Sequence, residues 1–294
     1  MTTLFNLDAA VVLLTPLYVQ IARRHGLDLV AAAFPPVLLA SLASSALPVS
    51  NLTNLLAAER FDVSAWDFAT RLGPASLAAT VVGYFAYRRA FHLTVVHEAE
   101  HLPIDDRAIW RGAPVVAFVL IGFTVGDALG IPAWAIAAIA DVILVAMTRW
   151  VPWRTVPIGA VVLAASLGVL AAAAAPHLDL EHALGSDAPG GDLRIVALAV
   201  VAANAINNLP AALIGLPALG PDPDDRLWSL LLGVNMGPVL VVSGSLAGLL
   251  WLDTARRLGV RVDARRYTAV GLRVGAPAVA AAIVVLLARN LLAS

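Results

Sequence analysis

Residues 47–54 read Leu-Pro-Val-Ser-Asn-Leu-Thr-Asn, and they lie within an apolar segment that extends from residue 29 to residue 56. A second apolar segment, residues 227–252, is interrupted by Asn-Met-Gly-Pro at 235–238 and by Ser-Gly-Ser at 243–245. Proline, glycine and small polar residues at these points predict that both helices break near their middles. At membrane depth, backbone freed from a helix is tolerated only where it is buried in protein or lines a wet cavity. The two interruptions therefore predict two broken helices around a cavity.

The composition of the chain is that of a membrane protein. Of its 294 residues, 60% are hydrophobic and 13% are charged, and the mean hydropathy is +0.86. Soluble domains carry about 25% charged residues, so a soluble enzyme is excluded. The formal net charge of -1 and the lack of lysine exclude a basic surface for nucleic acid, and the lack of cysteine excludes thiolate metal sites. We therefore expect one polytopic membrane protein, and we expect no catalytic residues, cofactors or bound metal.

Further apolar runs complete the order of segments. They cover residues 4–22, 72–87, 114–129, 132–148, 156–175, 193–205, 211–219 and 270–287. The runs 193–205 and 211–219 are too short to cross a bilayer alone, and Asn207, Asn208 and Pro210 separate them, which predicts a re-entrant hairpin. The sequence thus predicts an all-α, polytopic membrane protein with re-entrant hairpins and two broken transmembrane helices.

The polar interruptions occur in the same order twice. Asn6 and Asp8 precede the first broken helix, as Asn207 and Asn208 precede the second. Paired interruptions in corresponding positions are typical of inverted repeats with a substrate site between them. We expect an incomplete first repeat in residues 1–90, a cytoplasmic linker in residues 91–110 and a second repeat in residues 111–294.

The arginines predict the orientation in the membrane. Cytoplasmic loops retain positive charge, and most of the arginines fall in loops near residues 23, 88, 107, 149 and 256–266. The loops 176–192 and 220–225 are acidic and contain no arginine. This distribution predicts a multi-pass protein of the cell membrane with its carboxyl terminus outside.

The residue types at the interruptions indicate the kind of ligand. Asparagine, serine and threonine offer donors and acceptors, and helix amino ends add partial positive charge, which suits a small, oxygen-rich solute, neutral or anionic. The alternatives are hydrogen bonds between helices for the asparagines and bonds to the own helix for the hydroxyls. The candidate substrate-binding residues are Ser50, Asn51, Thr53, Asn54, Asn207, Asn208, Asn235, Ser243 and Ser245.

Candidate ion-coupling residues are Asn6, Asp8 and Asp141. A carboxylate inside a membrane segment is costly and commonly takes up a proton or pairs with a cation. Asp8 has the alternative role of a helix cap, and Asp141 that of a hydrogen-bonding group inside the scaffold. We expect the coupling ion to be a proton or sodium.

These stretches resemble the arsenite and antimonite efflux permeases of the ion transporter superfamily. The resemblance rests on residues 6–16, on LPVSNLTN at 47–54, on NNLP at 207–210 and on GSLAGLLWL at 244–252. It implies export of trivalent arsenic or antimony oxyacids, driven by proton antiport or by an ATPase partner. Citrate or dicarboxylate permeases and sodium-proton exchangers of the same superfamily are the alternatives. Lipid bilayer contact and a homo-oligomer are compatible with all of them.

One departure from internal symmetry concerns the front of the chain. The second repeat has a long scaffold between Arg111 and the tip at Asn207, whereas Asn6 lies almost at the start. Symmetry predicts about 90 further residues before it. The chain is then an incomplete reading of a longer gene or a shortened member that needs a partner. A non-transporting fragment, or a half-transporter within an oligomer, is the corresponding alternative function.

Two other patterns favour less specific roles. His97-Glu98-Ala99-Glu100-His101 matches the HExxH zinc metalloprotease motif, but Pro103 follows directly, which favours a solvated linker. Tryptophans near the ends of the segments are expected to anchor the protein at the membrane interface. They are Trp110, Trp134, Trp150, Trp153, Trp228 and Trp251.

Overall fold

The computed structural model describes residues 7–91, 106–125, 131, 133–149, 158–178, 180, 184, 191–221 and 224–293. The described residues form an all-helical protein, as the sequence predicts. Asn6, the HExxH stretch at 97–101 and Trp110's side chain lie outside this description.

The helices follow the predicted order of segments. The first group consists of α1 (Leu7–Arg24), α2 (Leu29–Ala43), α3 (Leu52–Phe61), α4 (Ala65–Arg71) and α5 (Gly73–Ala90). The second consists of α6 (Asp106–Val125), α7 (Ala133–Thr148), α8 (Ile158–Ala174), α9 (Gly191–Ile206), α10 (Asn208–Ala218), α11 (Asp224–Met236), α12 (Leu246–Arg257), α13 (Ala264–Val270) and α14 (Ala276–Ala293). A five-residue π-helical segment, Gly271–Gly275, joins α13 to α14.

Both predicted helix breaks are present. The first break, residues 44–51, separates α2 from α3, and the second break, residues 237–245, separates α11 from α12. The first break contains one short 3-10 turn, Pro48–Ser50, and the second contains two, Gly237–Val239 and Val242–Gly244. In each break the last of these turns is followed by one extended residue. That residue is Asn51 in the first break (φ -149°, ψ 140°) and Ser245 in the second (φ -144°, ψ 157°). The two breaks therefore share one backbone design.

The helices α9 and α10 form the predicted hairpin. They meet at Asn207, and Pro210 lies in the first turn of α10, where a missing amide proton is tolerated. The helix α10 packs against α11 and also against α3, the carboxyl half of the first broken helix. In the same way, α1 packs against α2 and against α12, the carboxyl half of the second broken helix. The carboxyl half of each broken helix thus packs against the helix that precedes the other broken helix in the chain.

One continuous helix among the described residues, Ala264–Leu292, has the length and apolarity to cross a membrane by itself, with 29 residues and a hydropathy of 2.2. It begins before the predicted run at 270–287. The breaks explain why α2, with 15 residues, and α12, with 12, are shorter than a span. Such segments must combine to cross a bilayer of about 30 Å.

Two tryptophans are placed differently from the expectation. Trp251 is fully buried, and its indole Nε1 donates to the carbonyl oxygen of Ala33 at 2.7 Å. Its ring lies 4.6 Å from that of Phe34, so it joins α12 to α2. Trp228 is also buried, with an edge-to-face contact to Phe68. The prediction of interfacial anchors is wrong for both, because each ring is buried against an aromatic side chain of another helix, Phe34 of α2 or Phe68 of α4.

Contacts near the ends of the helices fall into two groups. Arg23 donates to the carbonyl oxygen of Leu258, so the loops after α1 and α12 adjoin. On another side, Arg71 forms a 2.7 Å ion pair with Asp225, and Arg289 donates to the carbonyl oxygen of Thr70. Arg23 and Leu258 thus lie together in one place, and Arg71, Asp225 and Arg289 adjoin in another. The orientation of the chain in the membrane stays a prediction.

Candidate functional site

A cluster of buried amide and hydroxyl groups connects the two broken helices. Asn51, Thr53 and Asn54 of the first broken helix and Asn235 of the second are each at most 4% exposed. The Oδ1 atom of Asn235 accepts hydrogen bonds from Thr53 Oγ1 and, at 3.1 Å, from Asn51 Nδ2. Its Nδ2 atom donates to Asn54 Oδ1 at 2.6 Å. We call these four residues the amide cluster.

The first break is stabilised by its own polar side chains. Asn54 Nδ2 donates to the carbonyl oxygens of Ser44 and Leu47, both at 3.0 Å. Ser50 Oγ lies against the same two carbonyls. These carbonyls belong to the interrupted part of the helix, and a buried acceptor left unpaired would cost about 1–3 kcal/mol. Ser50 and Asn54 therefore allow the break to exist inside the protein.

Three predicted site residues cap helices at this junction. The Oδ1 atom of Asn51 accepts from the amide of Thr53 at 3.3 Å, and Ser245 Oγ accepts from the amide of Gly248 at 3.1 Å. Asn207 caps α10 in the same manner. Three helix amino ends, with their partial positive charge, thus begin at the two breaks and the hairpin tip.

The hairpin tip is bound to the second break. Asn207 Nδ2 donates to the carbonyl oxygen of Ser243 at 3.0 Å. Its backbone has φ 82° and ψ 151°, a conformation that glycine adopts far more readily than asparagine. Such strain costs about 1–3 kcal/mol and persists where the surroundings enforce it. The side-chain bond and the cap supply two of the enforcing contacts.

Asn204 is a site residue that the sequence pattern did not single out. It lies in α9, one turn before the tip, and donates to the carbonyl oxygen of Gly237 at 2.9 Å. Its Oδ1 atom is buried and has no hydrogen-bond partner among the residues that the structure describes, and a Cβ on Gly244 would lie 3.0 Å from it. The available signal was a third asparagine close to Asn207 and Asn208 in the chain.

The π segment before α14 packs tightly on the second break. A Cβ on Gly271 would lie 2.5 Å from the carbonyl oxygen of Val239, so glycine is required there. Gly275 contacts the side chain of the same valine. π-helical turns occur frequently at functional sites. This one lies directly before α14 and packs against Val239 of the second break.

The other candidate residues are placed as follows. Asn208 is buried at the start of α10. Ser243 is exposed, and its backbone carbonyl oxygen accepts the hydrogen bond from Asn207 Nδ2. Asp8 lies partly exposed in the first turn of α1. Asp141 is exposed on α7, a helix whose main packing among the described elements is with α6. The structure therefore does not bring Asp141 to the amide cluster.

Comparison with known proteins identifies the family of this architecture. The profile of a family described as citrate transporter matches residues 1–255. The chain belongs to the citrate transporter family. It is similar to proteins named arsenical pump membrane protein, being 27% identical over 306 residues to one from Yersinia enterocolitica and 26% identical over 304 residues to one from Escherichia coli. Each match covers 92% of this chain and 70% of the relative.

Family membership fixes the general role. This citrate transporter family member is a membrane-integral transport protein for a small solute. The two broken helices joined by the amide cluster are the candidate site of that transport.

Proposed function

We propose that this chain is a permease that exports arsenite- or antimonite-like oxyacids across the cell membrane. In this proposal, residues 1–90 and 111–294 are two inverted repeats, residues 91–110 are a cytoplasmic linker, and the carboxyl terminus is outside. The reciprocal packing of α1 on α12 and of α10 on α3 supports two related halves. The names of the similar proteins support arsenical compounds as substrates.

The observation that carries the proposal is the uncharged character of the junction. The buried polar residues among the described part of the chain are all serine, threonine or asparagine. Trivalent arsenic and antimony oxyacids are neutral at physiological pH and carry only hydroxyl groups. Burying a neutral solute of this kind requires hydrogen bonds but no buried countercharge.

The hydrogen bonds within the amide cluster can be replaced by hydrogen bonds to a bound oxyacid. Asn235 donates one hydrogen bond and accepts two within the cluster. A hydroxyl group also donates one bond and accepts others, so a bound oxyacid can replace these contacts without leaving polar groups unpaired. The unpartnered Oδ1 atom of Asn204 adds an acceptor beside the second break. We assign both asparagines to substrate binding, with Ser50, Asn51, Thr53, Asn54, Asn207, Asn208, Ser243 and Ser245 around them.

Coupling is assigned to Asp8, with Asn6 beside it in the sequence. A carboxylate at the start of α1 can exchange a proton during the transport cycle, which supports proton antiport. An ATPase partner is the other means of driving export.

Citrate or dicarboxylate transport is the second candidate, since the family description names citrate. A citrate trianion would have to be bound by buried groups that carry no positive charge, which is unfavourable by several kcal/mol. The charge of the site therefore favours the neutral oxyacid.

The test is arsenite uptake by everted membrane vesicles from cells that lack arsenic exporters. We expect uptake with the wild-type chain, and uptake reduced about tenfold by Asn204→Ala or Asn235→Ala, the effect of losing about 1.4 kcal/mol of hydrogen bonding. Asn290→Ala is the matched control, because Asn290 is a buried amide that binds Asp192 instead of the breaks. Citrate uptake without arsenite uptake would refute the proposal, as would equal rates for all three variants.

A further inference from the structure

A cavity of about 530 Å³ lies between α5 and the π segment, apart from the amide cluster. Two arginines line it, Arg89 at the end of α5 and Arg273 within the π segment. The rest of the lining is apolar and consists of Val82, Phe85, Ala86, Ala90 and Pro277. The cavity thus combines two cations with a hydrocarbon wall.

Both arginines are exposed, and within the described ranges neither has an ion pair or hydrogen bond. Other arginines have partners: Arg257 pairs with Asp253 at 2.7 Å, and Arg88 lies over the ring of Tyr84. Two like charges directed to one cavity repel each other unless an anion lies between them. Their convergence therefore indicates an anionic ligand.

The surface around the cavity indicates where that anion comes from. Phe85 is 60% exposed and Leu272 is 56% exposed, so the cavity opens on an apolar face that meets lipid in a membrane-integral protein. On the opposite side of the π segment, Gly271 and Gly275 contact the second break. The second break is thus packed against the glycines of the π segment, whereas the exposed Arg273 lines the cavity.

We propose that this cavity binds the phosphate of an anionic phospholipid. Guanidinium groups bind phosphate oxygens with paired hydrogen bonds, and basic pockets between transmembrane helices are typical headgroup sites. The acyl chains lie along the face formed by Phe85 and Leu272. The site is on the face whose loops are rich in arginine, the predicted cytoplasmic side.

The experiment is native mass spectrometry of the full chain in neutral detergent, titrated with phosphatidylglycerol or with phosphatidylcholine. We expect selective retention of phosphatidylglycerol by the wild type, about fivefold weaker retention by Arg89→Gln or Arg273→Gln, and about 25-fold weaker retention by the double variant. Arg273→Lys, which preserves the charge but not the paired hydrogen bonds, should bind more tightly than Arg273→Gln and more weakly than the wild type. Arg88→Gln is the matched control, since it removes the same charge from the neighbouring position.

Three outcomes would overturn the proposal. The first is equal retention of the two lipids by the wild type. The second is a loss of phosphatidylglycerol from Arg88→Gln as large as from Arg89→Gln, which would indicate general surface charge. The third is displacement of the lipid by excess inorganic phosphate, which would identify a site for the free anion. Arsenite transport is measured separately, so that failure of the lipid site and failure of the proposed function remain distinguishable.

Discussion

Asn235→Ala is expected to weaken the junction between the broken helices more than any single lost hydrogen bond would. The substitution removes the partner of Asn51 Nδ2, Thr53 Oγ1 and Asn54 Oδ1, all of which belong to buried residues. A buried polar group left unpaired costs about 1–3 kcal/mol. Three such groups give a loss of about 3 kcal/mol at the lower end of that range.

The assay is thermal unfolding of the purified chain in detergent, followed by the fluorescence of its seven tryptophans. At about 2 °C per kcal/mol, a loss of about 3 kcal/mol lowers Tm by about 6 °C. Asn290→Ala removes one bond, to the partly exposed Asp192, and water can replace it. It should lower Tm by only about 2 °C.

A second substitution tests the mechanism of the loss. Thr53→Val in the wild type removes one donor to Asn235, whereas in the Asn235→Ala background the hydroxyl is already unpaired. The two substitutions should therefore be coupled by about 1 kcal/mol. A Tm decrease for Asn235→Ala no larger than that for Asn290→Ala, or strict additivity with Thr53→Val, would refute the reasoning.

Two further predictions concern backbone fit and pH. Gly271→Ala should lower the unfolding temperature by several degrees, because the added Cβ would lie 2.5 Å from the carbonyl oxygen of Val239. Gly159→Ala is the control and should be neutral or stabilising, since no described atom lies within 4 Å of the added Cβ. Equal changes in the unfolding temperature for the two variants would contradict this prediction. Hydrogen bonds from Ser64 lower the pKa of the Asp67 carboxyl at the start of α4. The ionised Asp67 therefore stabilises α4 fully above the unfolded-state pKa of about 4. This stabilisation is lost as the pH falls through the lower pKa that Asp67 has in the folded protein. The protection of the α4 amides against exchange, taken relative to their intrinsic exchange rates at each pH, should therefore fall in acid, and Asp67→Asn should abolish that dependence.

Several features of the fold were predictable from local sequence. Proline, glycine and asparagine at 47–54, 207–210 and 235–245 interrupt the regular hydrogen bonding of a helix, so the breaks and the hairpin follow from residue type alone. The short helix α4 was also accessible, because Ser64 and Asp67 form a capping box. The family resemblance read from these stretches was confirmed by the profile match.

Other features depend on which helices meet. The burial of Trp251 was not predictable, since a tryptophan near the end of a segment fits an interfacial position equally well. The role of Asn204 required the position of Gly237, which is 33 residues away in the chain. The site assignment of Asp141 and Asp8 remains a prediction.

The sequence by itself determined the class of protein, the positions where its helices break and the uncharged chemistry of the residues at those positions. Only the tertiary structure decided that Asn235 binds Asn51, Thr53 and Asn54, and that Arg89 and Arg273 share one cavity. The physical reason is that helix propensity and breakage act over a few neighbouring residues. Hydrogen bonds and charge pairs between segments depend instead on the packing of distant helices.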